Sequence, residues 1–257
     1  MAVSTFSRFY YGYEITVDNR FINFNEGAGE LTASVAIGSY TLTEILVAVK
    51  TAMDAAGTDT YTISVDRATR IITISSTGTF SLLLATGSGI GQGTFGLLGF
   101  DGASDTSTAS SHIGTAASGF EFRNQFVIQD FVSDDDFQEK IDSSVNESAN
   151  GVLEVVNFGT RKFTEFSLKF ITNKPGDGQI IRHNSTGVED ARAFLQEITK
   201  KNPIEFMIDE SNTTSFKKLV LEKTPTSSQG TSYKLNELVR QNAPGYYEIN
   251  NLKFRVF

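Results

Sequence analysis

The amino-acid sequence predicts an α+β protein built from two mainly antiparallel β regions, each with one or two amphipathic helices packed on its sheet. Three observations support this fold class. Short runs of aromatic and β-branched residues with alternating polarity recur throughout the 257 residues, as in half-buried strands. Few segments place apolar residues at helical spacing. Most glycines precede a Ser- and Thr-rich stretch in mid-chain, whereas all four prolines and most phenylalanines follow it.

The first region is predicted to be a small α+β unit with one helix. A helix is expected from Leu42, because apolar residues recur at helical spacing as far as Met53. Thr41 and Glu44 have the spacing of a capping box at its start, and Gly57 stands where a helix would end. Strands, the first two joined by a tight turn, are predicted over Tyr10–Val17, Arg20–Asn25, Glu30–Ile37, Thr60–Val65, Arg70–Ser75 and Phe80–Leu84.

The stretch from Asp101 to Ser118 is predicted to separate two domains. Eight of its 18 residues are Ser or Thr, and Ile113 is its one large aliphatic residue. Such a composition buries too little apolar area to offset chain entropy, which is typical of a linker. A long surface loop within one domain is the alternative. The predicted parts are an N-terminal arm and first strand (1–18), a small α+β module (19–105), a linker (106–118) and a β-rich domain (119–257).

The second region is predicted to hold two helices among its strands. Ser133 followed by three aspartates is typical of a helix start, and Phe137, Ile141 and Val145 would form the buried face of that helix. Thr186 would cap a second amphipathic helix over residues 188–198. Residues 233–241 fit either a strand or a short helix. Strands, the second and third forming a hairpin, are predicted over Phe120–Phe131, Val152–Phe158, Lys162–Ile171, Pro203–Ile208, Phe216–Leu221 and Tyr246–Val256.

Composition and charge exclude several classes of function. The chain has 22 Lys and Arg against 30 Asp and Glu, a net charge of −8, which argues against a phosphate-binding surface. It has no cysteine and only two histidines, His112 and His183, so disulfides, thiolate metal sites and multi-histidine metal centres are excluded. The sequence shows neither a signal peptide nor an apolar run of about 18 residues, so no membrane partner is expected.

No arrangement of residues predicts an active site, and the protein is expected not to be an enzyme. Gly91, Gly93 and Gly96 match the spacing of a dinucleotide-binding loop, but the glycines that follow are incompatible with the helix that this motif requires. A flexible surface loop explains them better. Asp134–Asp136 fit a charged first helical turn better than a metal site, because consecutive helical side chains diverge. We therefore predict no catalytic, cofactor-binding or metal-binding residues, and no cofactor.

Aromatic residues near both ends of the chain form the candidate interface. Two interpretations are open for the N-terminal group: these residues pad the core beneath the first strands, or they form an arm that docks on a neighbouring subunit. The C-terminal strand could complete the edge of its own sheet or that of a neighbour. The candidate interface residues are Phe6, Phe9, Tyr10, Tyr11, Tyr13, Phe254 and Phe257.

Two regions of the chain resemble structural proteins of tailed bacteriophages. Residues 19–105, with the motifs GSYT before the helix and LLGF near the end, resemble a module that recurs in virion structural proteins. The second region is similar to tail-tube and distal-tail proteins through a strand hairpin that ends in FSLKFIT, then a helix, ARAFLQEI, and then a strand, NPIEFMID, within residues 152–209.

This resemblance implies a structural component of a phage tail or baseplate, assembled in the host cytoplasm and located in the virion tail. Such proteins form rings through which DNA passes, so the partners would be further copies of the chain and neighbouring tail or baseplate proteins. No catalytic residues come with the resemblance. Specific nucleic-acid binding is not expected either, because an acidic protein repels phosphates inside a narrow lumen. The module precedes the tube-like half and could be an insertion that decorates a ring.

Two other functions remain open at this point. One is a receptor- or glycan-binding fibre or head-decoration protein of the virion. The other, from a different class, is a carbohydrate-active enzyme, which would need two carboxylates at a matched separation. The sequence offers no such pair, and the structural function is therefore preferred.

Overall fold

The computed structural model of the chain describes residues 7–124, 138–147, 153–172, 188–207, 214, 216–223, 236–237 and 246–257. Within these residues the protein consists mainly of antiparallel sheets with few helices, which agrees with the predicted fold class at this level. The chain divides into two compact units. Unit 1 comprises Met1–Phe9 and Phe122–Phe257, and unit 2 comprises Tyr10–Glu121. Unit 2 is therefore an insertion in the sequence of unit 1.

The chain passes between the units in two strands, one at each end of the insertion. These are β1 (Ser7–Tyr11) and β9 (Phe120–Asn124). The elements inside unit 2 are β2 (Tyr13–Ile15), β3 (Phe21–Asn25), β4 (Glu30–Ser34), β5 (Gly38–Tyr40), α1 (Leu42–Ala56), β6 (Tyr61–Asp66), β7 (Ile71–Leu82), a 3₁₀ turn (Ile90–Gln92), α2 (Phe95–Leu98) and β8 (Ala109–Ile113). One sheet has the strand order β4-β3-β7-β6, with β8 also paired to β7, and β2 pairs with β5 in a second sheet.

Helix α1 forms where the sequence predicts it, and both of its ends are closed by hydrogen bonds. Thr41 Oγ1 accepts a hydrogen bond from Glu44 N at 3.2 Å, and the Glu44 carboxylate accepts one from Thr41 N at 3.0 Å, which completes the capping box. Gly57 N donates to Met53 O at 2.9 Å at the other end. The helix contacts β4 and β6 through its buried residues, Leu42, Ile45, Val49 and Met53.

The core of unit 2 is centred on the fully buried ring of Tyr61. This ring packs edge-on against Phe24, with the ring centroids 5.5 Å apart, and against Phe80 at 5.2 Å. Phe80 in turn packs edge-on against the buried imidazole of His112 at 4.6 Å. Strands β3, β6, β7 and β8 therefore share one aromatic core.

The predicted return of β6 into β7 is confirmed, but the predicted first hairpin is wrong. β6 pairs with β7 from Tyr61 opposite Ser76 to Asp66 opposite Ile71, and β7 merges two strands that were predicted separately. β2 pairs with β5 and β3 pairs with β4 and β7, so the first two predicted strands do not pair with each other. Asn19 Oδ1 accepts a hydrogen bond from Thr16 N at 2.6 Å, and this local turn redirects the chain instead of closing a hairpin.

The predicted linker is also wrong, because residues 106–118 belong to the folded part of unit 2. β8 lies within them and pairs with β7. Leu82 N donates to Thr106 Oγ1 at 2.7 Å, and Thr106 N donates to Leu82 O at 3.0 Å. Most side chains of β8 are exposed, whereas His112 is buried. A short edge strand held by backbone hydrogen bonds tolerates Ser and Thr at its exposed positions, so composition alone is misleading here.

Unit 1 is built around an eight-stranded sheet that includes β1 and β9. Its other elements are β10 (Gln138–Glu147), β11 (Leu153–Thr172), α3 (Val188–Thr199), β12 (Ile204–Met207), β13 (Lys217–Lys223), β14 (Asn236–Glu237) and β15 (Tyr246–Val256). The strand order is β10-β11-β15-β13-β12-β1-β9, with β14 paired to β15. Helix α3 contacts β11 and β13.

Four phenylalanine rings from distant parts of the chain form the core of unit 1. Phe122 stacks on Phe194 with the ring centroids 4.6 Å apart, and Phe9 stacks on Phe206 at 4.7 Å. The two stacks meet where Phe9 lies 5.0 Å from Phe194. Because these residues lie in β9, α3, β1 and β12, the cluster packs the two strands that flank the insertion against the helix of unit 1.

The second predicted helix of this region, α3, is confirmed, with Phe194, Leu195 and Ile198 buried. The first is wrong over residues 138–147, which form strand β10. Ile141 and Val145 are four residues apart, a spacing that puts two residues on one face of a helix or of a strand, so the pattern does not discriminate. Ser133, Phe137, Thr186 and the undecided stretch 233–241, apart from β14, lie outside the described residues.

The predicted hairpin through residues 159–161 is wrong as well. β11 runs without interruption from Leu153 to Thr172, and Thr160 and Arg161 pair with Ile141 and Lys140 of β10. A glycine at position 159 is a turn signal in isolation, but here it lies at an irregularity of the ladder, between Asn157 opposite Ser143 and Thr160 opposite Ile141, and the strand continues past it.

Candidate assembly surface

The N-terminal aromatic residues lie in the protein core and not on an exposed arm, which corrects their assignment to an interface. Phe9 and Tyr10 are fully buried, and Tyr11 and Tyr13 nearly so. Phe9 belongs to the phenylalanine cluster of unit 1. Tyr13 OH is hydrogen-bonded to Ser118 within unit 2. Phe6 lies outside the described residues. The core interpretation of this group is therefore the one that the structure supports.

The two C-terminal candidates have opposite environments. Phe254 is fully buried, and its backbone lies between Thr164 of β11 and Leu221 of β13. Phe257 is 67% exposed, and its backbone N–H donates to Lys218 O at 3.0 Å. The Lys218 ammonium lies 5.9 Å from the centroid of the Phe257 ring. Of the described candidates, Phe257 alone presents a large apolar surface to solvent.

The same face of the sheet carries two further cations over an aromatic ring. The Lys253 ammonium lies 4.8 Å from the centroid of the Phe163 ring, and the Arg255 guanidinium lies 6.0 Å from it. Arg255 Nε also forms an ion pair with Glu222 at 3.1 Å. Phe163 is buried beneath these side chains. We call this group, with Lys218 and Phe257, the β15 face.

The β15 face was not predicted from the sequence, although the alternation of residues along β15 indicates part of it. Phe254 alternates with Lys253 and Arg255 along β15, so a strand that buries Phe254 must present the two cations on its other side. Their pairing with Phe163 could not be foreseen, because it depends on the register between β11 and β15, in which Phe163 lies opposite Arg255.

Among the described strands, β10 and β9 stand at the two ends of the strand order of this sheet. The backbone groups on the outer side of an end strand are a template for pairing with another chain. Unit 1 therefore offers two kinds of contact surface, end strands and an aromatic–cationic face.

The charge of the protein is divided unevenly between the units. Unit 2 contains 4 Lys or Arg against 11 Asp or Glu, a net charge of −7, whereas unit 1 contains 18 against 19 and is nearly neutral. The acidic balance that argues against DNA binding is therefore a property of unit 2. Unit 1 has neither a marked excess nor a marked deficit of positive charge.

The carboxylates of unit 2 have structural partners, as Glu26 illustrates. Glu26 accepts hydrogen bonds from Thr58 N at 2.9 Å, Thr58 Oγ1 at 2.7 Å, Asp59 N at 3.2 Å and Tyr61 OH at 2.8 Å. Burial raises the pKa of Glu26, but these hydrogen bonds together outweigh it and hold the pKa below its usual value. Burial, and then the hydrogen bond to Glu26, raise the pKa of the Tyr61 phenol. Glu26 is therefore held ionised and Tyr61 neutral, and the hydrogen bonds between them and to Thr58 join separate loops. Groups held in these states are poorly suited to proton transfer near neutral pH.

The glycine motif at residues 91–96 has no phosphate-binding geometry. A 3₁₀ turn spans Ile90–Gln92, and Gly96 lies inside α2, a helix of four residues. A dinucleotide site needs a helix that begins at the last glycine and directs its free amides at the phosphates, and this arrangement differs from it.

Within the part of the chain that the structure describes, no group of three or more His, Cys, Asp or Glu residues could hold a metal ion. Among the same residues, none of the helices has the length and apolar character needed to cross a membrane. Asp134–Asp136 and His183 fall outside this part of the chain. Comparison with known protein families and with curated proteins finds no match to this chain.

Proposed function

We propose that this protein is a structural, non-enzymatic component of a phage tail or baseplate, in which unit 1 assembles with further copies into a ring around the DNA conduit. The observation that carries the proposal is the order of β11, α3 and β12. The three segments that resemble tail-tube and distal-tail proteins fall in these elements, and α3 contacts the sheet through β11 and β13. A helix against a long antiparallel sheet is the arrangement that the resemblance implies for a tail-tube-like domain.

The insertion of unit 2 also supports the proposal. The segment that resembles a phage structural module, residues 19–105, lies within Tyr10–Glu121. A domain inserted between two strands of a host unit adds surface without interrupting the sheet of that unit. We assign unit 2 a decorating role and unit 1 the assembling role, with neighbouring tail or baseplate proteins as the other partners and the virion tail as the location.

The contacts that hold the ring are assigned to the end strands of unit 1 and to the β15 face. Ring closure needs a heterologous contact, in which one surface of a copy meets a different surface of the next. End strands provide backbone hydrogen bonds, and an exposed aromatic residue such as Phe257 provides an anchor that contributes about 2 kcal/mol or more when it is buried at an interface centre.

Size-exclusion chromatography with light scattering and negative-stain electron microscopy of the full chain test this function together. The proposal predicts closed rings with one dominant subunit number. Elongated trimers would instead indicate a fibre protein, and a monomer at every concentration would contradict assembly. Retention of the protein on a DNA column at about 0.15 M salt would contradict a conduit that lets DNA pass.

A matched pair of variants examines the β15 face within the same experiment. Phe257 is 67% exposed in unit 1, and Ile113 is 66% exposed in unit 2. Phe257→Ala is expected to weaken self-association at least tenfold, because it removes an apolar anchor. Ile113→Ala removes a side chain of equal exposure from the unit assigned to decoration, and is expected to leave self-association unchanged. Equal effects of the two variants would contradict the assignment of the contact to unit 1.

A further inference from the structure

The turn between β6 and β7 holds a strained residue with an unusually large set of partners. Arg70 adopts φ 60°, a left-handed conformation that residues other than glycine adopt at an energetic cost. Asp66 supports the turn, since its side chain accepts hydrogen bonds from Ala68 N at 2.9 Å and Thr69 Oγ1 at 2.8 Å. A strained conformation persists only where surrounding contacts stabilise it, so the contacts of Arg70 indicate why this backbone conformation is retained.

The contacts of Arg70 are with the last residues of unit 2. Its Nη1 donates to Ser118 O and to Gly119 O, both at 2.9 Å, and its Nε lies 3.3 Å from the Glu121 carboxylate. Arg70 O accepts hydrogen bonds from Ser118 N and Ser118 Oγ, both at 2.9 Å. Arg70 and Glu121 are largely shielded from solvent, which strengthens a charge-assisted pair of this kind.

The first residues of unit 2 are tied to the same place. Tyr10 OH donates to Arg67 O at 2.8 Å, in the turn that also holds Arg70. Tyr13 OH is 3.2 Å from both Ser118 O and Ser118 Oγ. Gly119 adopts φ +50°, and a Cβ at this position would lie 2.5 Å from the Tyr13 ring. A side chain at position 119 would therefore separate the two ends of the unit.

We infer that Arg70 is a clasp that fastens the last residues of unit 2 to the β6–β7 turn and, through Ser118, holds them beside Tyr13 near the beginning of the unit. With the clasp closed, Tyr10–Tyr13 and Ser118–Glu121 are fixed to the β6–β7 turn inside unit 2. Loss of the clasp loosens the two segments where they run between strands, at residues 12 and 116–119, while α1 and the sheets stay folded, because their core contacts do not pass through Arg70. This device concerns the closure of unit 2 and does not rest on the proposed function.

Amide hydrogen exchange of the full chain, read by mass spectrometry, tests the clasp. The main variant is Arg70→Asn, because asparagine tolerates a left-handed backbone and the substitution removes the guanidinium without adding strain. Exchange at residue 12 and in residues 116–119, which lie between strands, is expected to accelerate at least tenfold, and exchange in α1 to stay within twofold of the parent protein. Arg70→Lys keeps the charge but loses the forked donor, so it should give an intermediate acceleration.

Two comparisons make the test decisive. Lys50→Gln removes a cation from the exposed Lys50–Asp54 pair on α1, and should change neither end segment. Glu121→Gln weakens the ion pair and leaves the backbone hydrogen bonds of Arg70, so it reports on the clasp even if Arg70→Asn does not fold. Unchanged exchange at the end segments in Arg70→Asn and Glu121→Gln would overturn the inference. A uniform acceleration across unit 2 would also overturn it, since that result indicates general destabilisation.

Discussion

The two units of this chain are stabilised in different ways. In unit 2, neighbouring segments pack together: α1, β6 and β7 are consecutive, and carboxylates such as Glu26 bind the loops between them. In unit 1, the N-terminal strand β1 lies between β9 and the distant β12, and the core is a cluster of phenylalanines from β1, β9, α3 and β12. Contacts between distant segments form slowly, because loop closure must precede them. The comparison indicates that unit 2 can fold early, whereas unit 1 needs the segments on both sides of the insertion before its sheet can form.

The largest expected effect tests the phenylalanine cluster of unit 1. Phe194→Ala should lower the free energy of unfolding of unit 1 by about 3–5 kcal/mol, the usual cost of truncating a buried aromatic residue. Denaturant unfolding, followed by hydrogen exchange in α3 and separately in α1, measures the two units independently. Ile113→Ala is the control, because its side chain is 66% exposed and should contribute less than about 0.5 kcal/mol to folding. Equal loss of stability in α1 and α3 would show that the units unfold together.

A smaller effect is expected from the cap of α1 in unit 2. Thr41→Ala removes the hydroxyl that accepts a hydrogen bond from Glu44 N, which should cost about 1 kcal/mol. Thr41→Ser retains that hydroxyl and is expected to restore most of the loss. Thermal unfolding by circular dichroism, with hydrogen exchange in α1, gives the measurement. An alanine variant as stable as the serine variant would mean that the capping box contributes nothing to unit 2.

The smallest expected effect is a loss of stability of unit 2 in acid, which distinguishes unit 2 from unit 1. Hydrogen bonds hold the pKa of Glu26 below its usual value despite the opposing effect of burial, so this carboxyl gains stability on folding when ionised. That stability is complete above the unfolded pKa near 4.5 and is lost as the pH falls through the lower folded pKa. Because Glu26 is partly exposed, the change is expected to be modest.

Glu26→Gln cannot ionise and should flatten this part of the pH dependence of unit 2. Unfolding midpoints measured from pH 6 to pH 3, with α1 and α3 observed separately, compare the variant with the parent chain. An unaltered slope for α1 in the variant would exclude Glu26 as a source of acid sensitivity.

The sequence predicts the elements of unit 2 better than those of unit 1. The capping box at Thr41 and Glu44 is local, so α1 could be placed with its true start. Residues 138–147 form a strand because they pair with β11. Their sequence does not reveal this, since a four-residue spacing such as that of Ile141 and Val145 fits a helix equally well. Local signals are sufficient where neighbours along the chain pack together, and they fail where the partner is distant.

The candidate interface shows the same limit. An aromatic run at residues 9–13 fits a buried core and an exposed arm equally well, and the choice depends on Phe194 and Phe206, which lie almost 200 residues away. The linker prediction failed because β8 gains its order from hydrogen bonds with β7, which composition does not reveal. In both cases the missing information was the strand partner.

We propose that unit 1 carries the assembly and that unit 2 is a separable insertion, so a chain that lacks unit 2 gives the sharpest test. Replacing residues 12–119 by a short Gly-Ser connection keeps β1 and β9 whole and leaves Phe9 and Phe122, whose rings lie 5.9 Å apart, in the core of unit 1. Electron microscopy and sedimentation of this shortened chain, beside the full chain, give the measurement. We expect the shortened chain to melt cooperatively and to form closed rings with the subunit number of the full chain. A shortened chain that folds cooperatively but stays monomeric, while the full chain forms rings, would contradict it.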